Sequence, residues 1–364
     1  MANTIPPRPG IENISPYVPG ESKLADVARI IKLASNEGPF GPSKKAIEAM
    51  ADATKTMHRY PDGSASELRQ AIAKRFGLDA DRIVCGAGSD EIISLLCYAY
   101  AGPGDEVLYS QHGFLMYPIS AHAAGATPVK APETDLKTDV DAMLDAVTDK
   151  TRIVFIANPN NPTGTYLTRS EVARLRTGLP EDVLLVIDAA YAEFVNRNDY
   201  TSGAEFVDAG QNTVMTRTFS KMFALGGLRV GWGYFPTEIA DVLNRVRGPF
   251  NVSSVGQAAA IASLDDLDFQ ETAYAHNLHW VAKAEAALKG LGLTTTKSVG
   301  NFILVRFETD AKAEACDAHL RERGILVRRM GGYGLPDSLR VSIGAADEME
   351  SFLDAMTAFM GATV

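Results

Sequence analysis

The run Asp182-Val-Leu-Leu-Val-Ile-Asp188 is apolar at every position between its terminal aspartates. Successive side chains of a strand point to opposite faces, so both faces of this strand must be covered. That is the situation of a central strand in a parallel sheet. Parallel neighbours cannot be joined by tight hairpins and need crossover connections, usually helices. The run therefore demands a fold in which strands and helices alternate. The surrounding sequence supplies them. Residues 83–86, 106–110, 152–157, 213–216 and 230–234 read as further strands, and 89–100 as a helix. Thr168-Arg-Ser-Glu171 is a capping-box pattern that opens another helix. The expectation is a mostly parallel α/β sheet with helices on both faces.

The pattern changes after about residue 265. A long helical stretch covers 268–289, followed by a strand at 302–307, a helix at 311–323, strands at 325–329 and 339–343, and a last helix at 347–360. This predicts a smaller α+β unit. The first 20 residues hold five prolines and two glycines, which rules out a long helix or a central strand there. The expected division is an extended arm over 1–35, a large α/β domain over 36–267 and a small α+β domain over 268–364.

Charge and composition remove several classes of function. The net charge is −10 with no basic stripe, which argues against a nucleic-acid partner. Cys85, Cys97 and Cys316 are scattered and odd in number, as buried thiols of a reducing compartment would be. The six histidines lack metal-ligand spacing, and no metal is expected. There is no apolar signal-peptide core at the start and no apolar run long enough for a membrane span. A cytoplasmic location without membrane contact is the expectation.

Four segments carry chemistry. In Arg217-Thr-Phe-Ser-Lys-Met-Phe-Ala-Leu-Gly-Gly-Leu-Arg229, Lys221 has hydroxyls at Thr218 and Ser220 beside it and an arginine eight residues on. An amine there can form a Schiff base with an aldehyde while the hydroxyls and guanidinium hold a phosphate. Pyridoxal 5′-phosphate is such a cofactor. The same run by itself also reads as an ordinary loop. Asp188 closes the apolar strand, where ligands of open α/β sheets bind. A carboxylate beside the pyridine nitrogen would keep that nitrogen protonated, although a helix cap or a metal ligand is the plainer reading. Tyr191, three residues on, and Asn161 in Asn158-Pro-Asn-Asn-Pro-Thr-Gly164 can reach the cofactor's ring oxygen, although the second run is also a good turn. Gly86-Ala-Gly-Ser-Asp-Glu91 lies between a strand and a helix, where glycines and free N–H groups suit an anion. It lacks the third glycine of a dinucleotide site and is not a Gly-Lys-Ser/Thr loop, so it suits a single phosphate monoester.

Asn161-Pro-Thr-Gly164, Asp188-Ala-Ala-Tyr191, Ser220-Lys221 and Arg229 together resemble the aspartate-aminotransferase-like, fold type I pyridoxal-phosphate enzymes. Finer features are similar to the histidinol-phosphate aminotransferase family. They are Pro16-Tyr-Val-Pro-Gly20, Leu33-Ala-Ser-Asn-Glu37 with Gly41-Pro-Ser43, Arg59-Tyr-Pro-Asp62, Gly86-Ala-Gly-Ser-Asp-Glu91, Asn301-Phe302, Gly324-Ile-Leu-Val-Arg328 and Leu339-Arg-Val-Ser-Ile-Gly344. The resemblance implies a seven-stranded, mostly parallel sheet in the large domain. It implies that Lys221 carries the cofactor and moves the substrate proton, that Asp188 pairs with the ring nitrogen, and that Asn161 and Tyr191 contact the ring oxygen. Gly88 and Ser89, with Thr218, Ser220 and Arg229, would hold the phosphate. Phe114 would stack on the ring, or else is plain core. Tyr60 would reach the phosphate of a partner subunit's cofactor, so the active unit would be a homodimer.

Arg340 would bind the substrate's anionic end, helped by Arg328 and by Tyr17 and Asn36. Arg329 could face inward instead of Arg328, since only one of two neighbours on a strand can. Tyr17 could merely pack the arm, and Arg340 could be solvated. The implied reaction is transamination between L-histidinol phosphate and 2-oxoglutarate, giving glutamate. An aromatic amino-acid or dual-specificity aminotransferase uses the same apparatus, and a phosphothreonine decarboxylase shares these motifs. The chain departs from the common family pattern at Gly38, where an asparagine is usual, and at His112-Gly113, where Pro-Thr is usual. Both departures bear on substrate breadth more than on the type of reaction.

Overall fold

The structure, a computed structural model, describes residues 5–17, 20–21, 23–24, 29–210 and 212–361. The remaining residues of the predicted arm lie outside the described residues. Seven strands form the larger sheet: β1 (Ile83–Gly86), β2 (Glu106–Ser110), β3 (Thr127–Ala131), β4 (Thr151–Ala157), β5 (Leu184–Asp188), β6 (Thr213–Thr218) and β7 (Gly231–Tyr234). Their order across the sheet is β1-β7-β6-β5-β4-β2-β3. β7 runs antiparallel to both neighbours, and every other pairing is parallel.

β5 sits at the centre and is buried throughout. Leu185 and Ile187 pack on one face with Val172 and Leu175 of helix Arg169–Gly178. Leu184 and Val186 pack on the other with Ile92 and Ile93 of helix Ser89–Tyr100. Each such side chain contributes roughly 1.5–3 kcal/mol through burial, which fixes the strand in the sheet. Thr168 and Glu171 form the expected reciprocal cap at the start of helix Arg169–Gly178.

The second sheet is antiparallel, with β8 (Thr294–Thr295), β9 (Phe302–Arg306), β10 (Arg328–Met330) and β11 (Leu335–Ser342) in the order β8-β9-β11-β10. Helices Leu267–Gly290, Asp310–Glu322 and Ala346–Gly361 cover its apolar face. The strand expected over 325–329 is two. Ile325–Leu326 pairs in parallel with Ile31–Lys32, and after Val327 the chain changes partner to β11. The strand expected from 339 begins at Leu335, four residues earlier than Pro336 and Asp337 suggest from their turn chemistry. Helices Lys44–Ala53, Ser66–Phe76, Met116–Ala124, Val140–Asp145, Ala204–Asp208, Thr237–Val246 and Ser254–Leu264 lie around the large sheet.

All three cysteines are buried and unpaired. Burial pushes the thiols of Cys85 and Cys97 up to about 12, so they are inert at neutral pH. Among the described residues, no helix is long and apolar enough to cross a membrane.

Candidate active site

The carboxyl ends of β4, β5 and β6 open onto one cavity of about 660 Å³. Ala157, Asp188 and Thr218, the last residues of those strands, all line it. The second sheet and the segment Ala34–Glu37 close the other side. Of the fifteen residues singled out in the sequence, the cavity gathers thirteen; Gly88 stands behind Ser89, and Tyr60 lies elsewhere.

Asp188 is buried at the cavity floor. Its Oδ2 accepts a hydrogen bond from the Tyr117 hydroxyl at 2.8 Å and its Oδ1 one from the Thr216 hydroxyl at 3.3 Å. Burial raises its pKa to about 6, against the pull of these donors. A carboxylate so placed needs a cation, and a protonated ring nitrogen meets that need. Lys221 follows β6 and sends its amine to within 3.3 Å of the Ser35 carbonyl and 5.7 Å of the Tyr191 ring centre. Burial, and then the Arg340 guanidinium, lower its pKa to about 8. The neutral form, which a nucleophile and proton carrier needs, is therefore far more populated near physiological pH than in an ordinary lysine. Tyr191 accepts a hydrogen bond from the Asn36 amide at 2.9 Å, and burial holds its phenol well above the ordinary value.

The opposite wall is built for a phosphate. Gly88 takes φ +91, and a Cβ on it would lie 2.1 Å from Arg229 Nη2. Only glycine allows the turn and the guanidinium together. Ser89 starts helix Ser89–Tyr100 and presents unpaired N–H groups. β7 comes so close that a Cβ on Gly231 would lie 2.2 Å from the Ser89 nitrogen. The hydroxyls of Thr218 and Ser220 are 3.0 Å apart, and Arg229 reaches Ser220 Oγ at 3.4 Å and Asp90 at 2.5 Å. Two hydroxyls, a helix N-terminus and a guanidinium converge on a volume that a phosphate monoester fits.

Arg340, on β11, is buried at the other end of the cavity. Its Nη1 donates to Asn161 Oδ1, its Nη2 donates to the Ala34 carbonyl at 2.9 Å, and its Nε has no partner. Among the described residues no carboxylate pairs with it. Arg328 also faces the cavity, 5.9 Å from the Tyr17 ring centre, whereas Arg329 turns outward to Glu314 at 3.0 Å. The strand's alternation thus puts Arg328 inside. Phe114 lines the cavity edge-on to Tyr117, with ring centres 5.9 Å apart. Asn36 is buried with φ +53, and its side chain links Tyr191 to Ser342.

Tyr60 stands apart, 81% exposed and stacked on Phe250 with ring centres 4.6 Å apart. Of the two departures from the family pattern, Gly38 is explained by contact, since a Cβ there would lie 2.8 Å from Ala224 Cβ beside the Lys221 loop. His112 does not line the cavity; its Nδ1 lies 2.7 Å from the Tyr333 carbonyl. Sequence reasoning missed Tyr117, Thr216 and Tyr333. A signal existed for Tyr117: a tyrosine buried in an apolar helix must find a partner for its hydroxyl.

Residues 28–356 match the family model described as aminotransferase class I and II, and the chain belongs to that family. It is 60% identical to the histidinol-phosphate aminotransferase of Paramagnetospirillum magneticum over 98% of this chain and 99% of that one. It is 56% identical to the Rhodospirillum rubrum protein of the same name, over 97% and 96% of the two chains. The crystal structure of histidinol-phosphate aminotransferase from Sinorhizobium meliloti in complex with pyridoxal-5′-phosphate superposes with a TM-score of 0.87 at 28% identity, covering 92% and 91% of the two chains.

Proposed function

We propose that this chain transfers the amino group of L-histidinol phosphate to 2-oxoglutarate in histidine biosynthesis, with pyridoxal 5′-phosphate as its cofactor. The observation that carries the reading is Arg340, a buried guanidinium without a counter-charge, in the same cavity as a separate phosphate cradle. Such a cation must meet an anion on the substrate, and a guanidinium takes a phosphate or a carboxylate equally well. One site can then accept a phosphorylated amino alcohol and a keto acid in turn. The identity of 60% to a histidinol-phosphate aminotransferase supports this pair.

When bound, the cofactor supplies an aldehyde that carries the amino group and a ring that accepts the electron pair left at the substrate α-carbon. Lys221 Nζ would remove the substrate α-proton and carry it. Asp188 would keep the ring nitrogen protonated, Asn161 and Tyr191 would hold the ring oxygen, and Phe114 would face the ring. Gly88, Ser89, Thr218, Ser220 and Arg229 would hold the phosphate. Arg328, Tyr17 and Asn36 assist Arg340 with substrate. The working form is a cytoplasmic homodimer in which exposed Tyr60 serves the partner's site, and the chain divides into an arm (1–35), a large domain (36–267) and a small domain (268–364). Substitution Arg340→Gln tests the carrying observation. A charge-assisted hydrogen bond contributes about 1.5–3 kcal/mol, so the KM for both substrates rises roughly 10- to 150-fold with cofactor absorbance unchanged. Unchanged KM values for both would remove Arg340 from the site.

A further inference from the structure

Tyr117 touches Asp188 from outside the set read in the sequence and, like Thr216, does not itself line the cavity. It lies on helix Met116–Ala124, fully buried, with its ring stacked on Phe155 at 4.6 Å and 8°. Phe155 belongs to β4, the neighbour of Asp188's own strand. The stack fixes the ring, and the fixed ring aims its hydroxyl at Oδ2 from 2.8 Å. Thr216, across the strand pairing from Asp188, occupies Oδ1. Each carboxylate oxygen thus has one hydroxyl donor, and the backbone N–H of Ala190 adds a third hydrogen bond to the group. The same ring meets Phe114 edge-on at 5.9 Å. One residue therefore abuts both the group proposed to face the cofactor's ring nitrogen and the group proposed to face its plane.

We infer that Tyr117 is a positioning residue that holds Asp188 ionised and correctly aimed, so that the site selects a cofactor ring with a protonated nitrogen. This rests on the assignment of pyridoxal 5′-phosphate to the site, and not on the choice of substrate. Three groups face the Asp188 carboxylate: the Tyr117 hydroxyl, the Thr216 hydroxyl and the backbone N–H of Ala190. Asp90 is the other acid acting on it, and Asp90 is already paired with Arg229. Remove the Tyr117 hydroxyl, and Oδ2 loses its hydroxyl donor in a buried place. The proton then stays on Asp188 in preference to the ring nitrogen.

The test uses Tyr117→Phe, which keeps the ring and its stack. Cofactor-free wild type and variant are titrated with pyridoxal 5′-phosphate and, separately, with its 1-deaza analogue, in which a C–H replaces the ring nitrogen. Loss of one hydrogen bond to a charged group predicts about tenfold weaker binding of pyridoxal 5′-phosphate. Binding of the deaza analogue should change less than twofold, since nothing there requires an ionised Asp188. Equal losses for both ligands would mean that Tyr117 only packs the site, and no loss for either would mean that Asp188 does not depend on it; each overturns the inference. Urea unfolding of the same samples separates a poorly folded variant from a well-folded one. In the folded variant at saturating cofactor, the kcat should fall while the KM for amino donor holds, and restoring a hydroxyl-bearing ring with 3-fluorotyrosine at position 117 should return both readings toward wild type. Failure of that rescue would also count against the inference.

Discussion

Asp188 shows how one residue can be legible in sequence and still gain its meaning from structure. Its place at the end of an apolar strand marked it, because an isolated carboxylate does not belong there unless something answers its charge. The structure adds that burial wins over two hydroxyl donors and raises its pKa to about 6. This has a thermodynamic consequence for the cofactor-free protein. The folded state binds the Asp188 proton more tightly than the unfolded chain, so its contribution to stability is complete below about pH 4. It is lost as the pH rises through about 6. A shift of this size corresponds to about 3 kcal/mol. Urea unfolding of cofactor-free wild type should therefore lose more stability between pH 4.5 and pH 7 than Asp188→Asn does. Equal pH slopes for the two proteins would contradict the burial of an unpaired carboxylate. Thr216 was not readable in this way, and Tyr117 signalled only that its hydroxyl needed a partner; the packing of helix Met116–Ala124 on β4 is what brings the phenol to Asp188.

At the level of elements, the phosphate cradle is a strand, a two-residue turn and a helix held to one another by glycines. Gly88 supplies a left-handed turn and Gly231 lets β7 approach the helix N-terminus. Substitution Gly88→Ala would add a side chain where φ is +91 and where Arg229 Nη2 would be 2.1 Å away. Left-handed backbone costs a non-glycine residue roughly 1–2 kcal/mol, before the displaced guanidinium is counted. Affinity for pyridoxal 5′-phosphate should fall at least tenfold, measured by equilibrium dialysis, and an unchanged affinity would show that the cradle lies elsewhere. The strands of the large sheet were readable because each is a short apolar run with turn residues at its ends. Helices Lys44–Ala53 and Ser66–Phe76 were not, since they bury only narrow faces: Ala46 in the first, Leu68 and Ile72 in the second. The run over 325–329 misled for another reason. It opens on three apolar residues that suit a strand, but its two halves pair with different partners, and pairing is not a local property.

Over the whole molecule, the cavity exists only because three distant stretches meet. The strand ends of the large sheet supply Asp188 and Lys221, β11 supplies Arg340, and Ala34 and Ser35 from the N-terminal region accept hydrogen bonds from Arg340 and Lys221. The motifs named nearly all of these residues, and what they could not convey was the order of charges along the cavity. That order runs from the phosphate cradle, past the lysine, to an uncompensated guanidinium. It is what makes an anionic amino donor the expected substrate. Phenylalanine, which offers the guanidinium a carboxylate in place of a phosphate, tests the alternative. The decisive measurement is a single half-reaction without keto acid, following the visible absorbance of the cofactor-loaded protein after mixing with L-histidinol phosphate or with phenylalanine. Rapid spectral conversion by L-histidinol phosphate is predicted, with phenylalanine slower by roughly tenfold or more, the worth of one charge-assisted contact, since a carboxylate has two acceptor oxygens where a phosphate has three. Equal or faster conversion by phenylalanine would contradict it and make the enzyme an aromatic amino-acid aminotransferase.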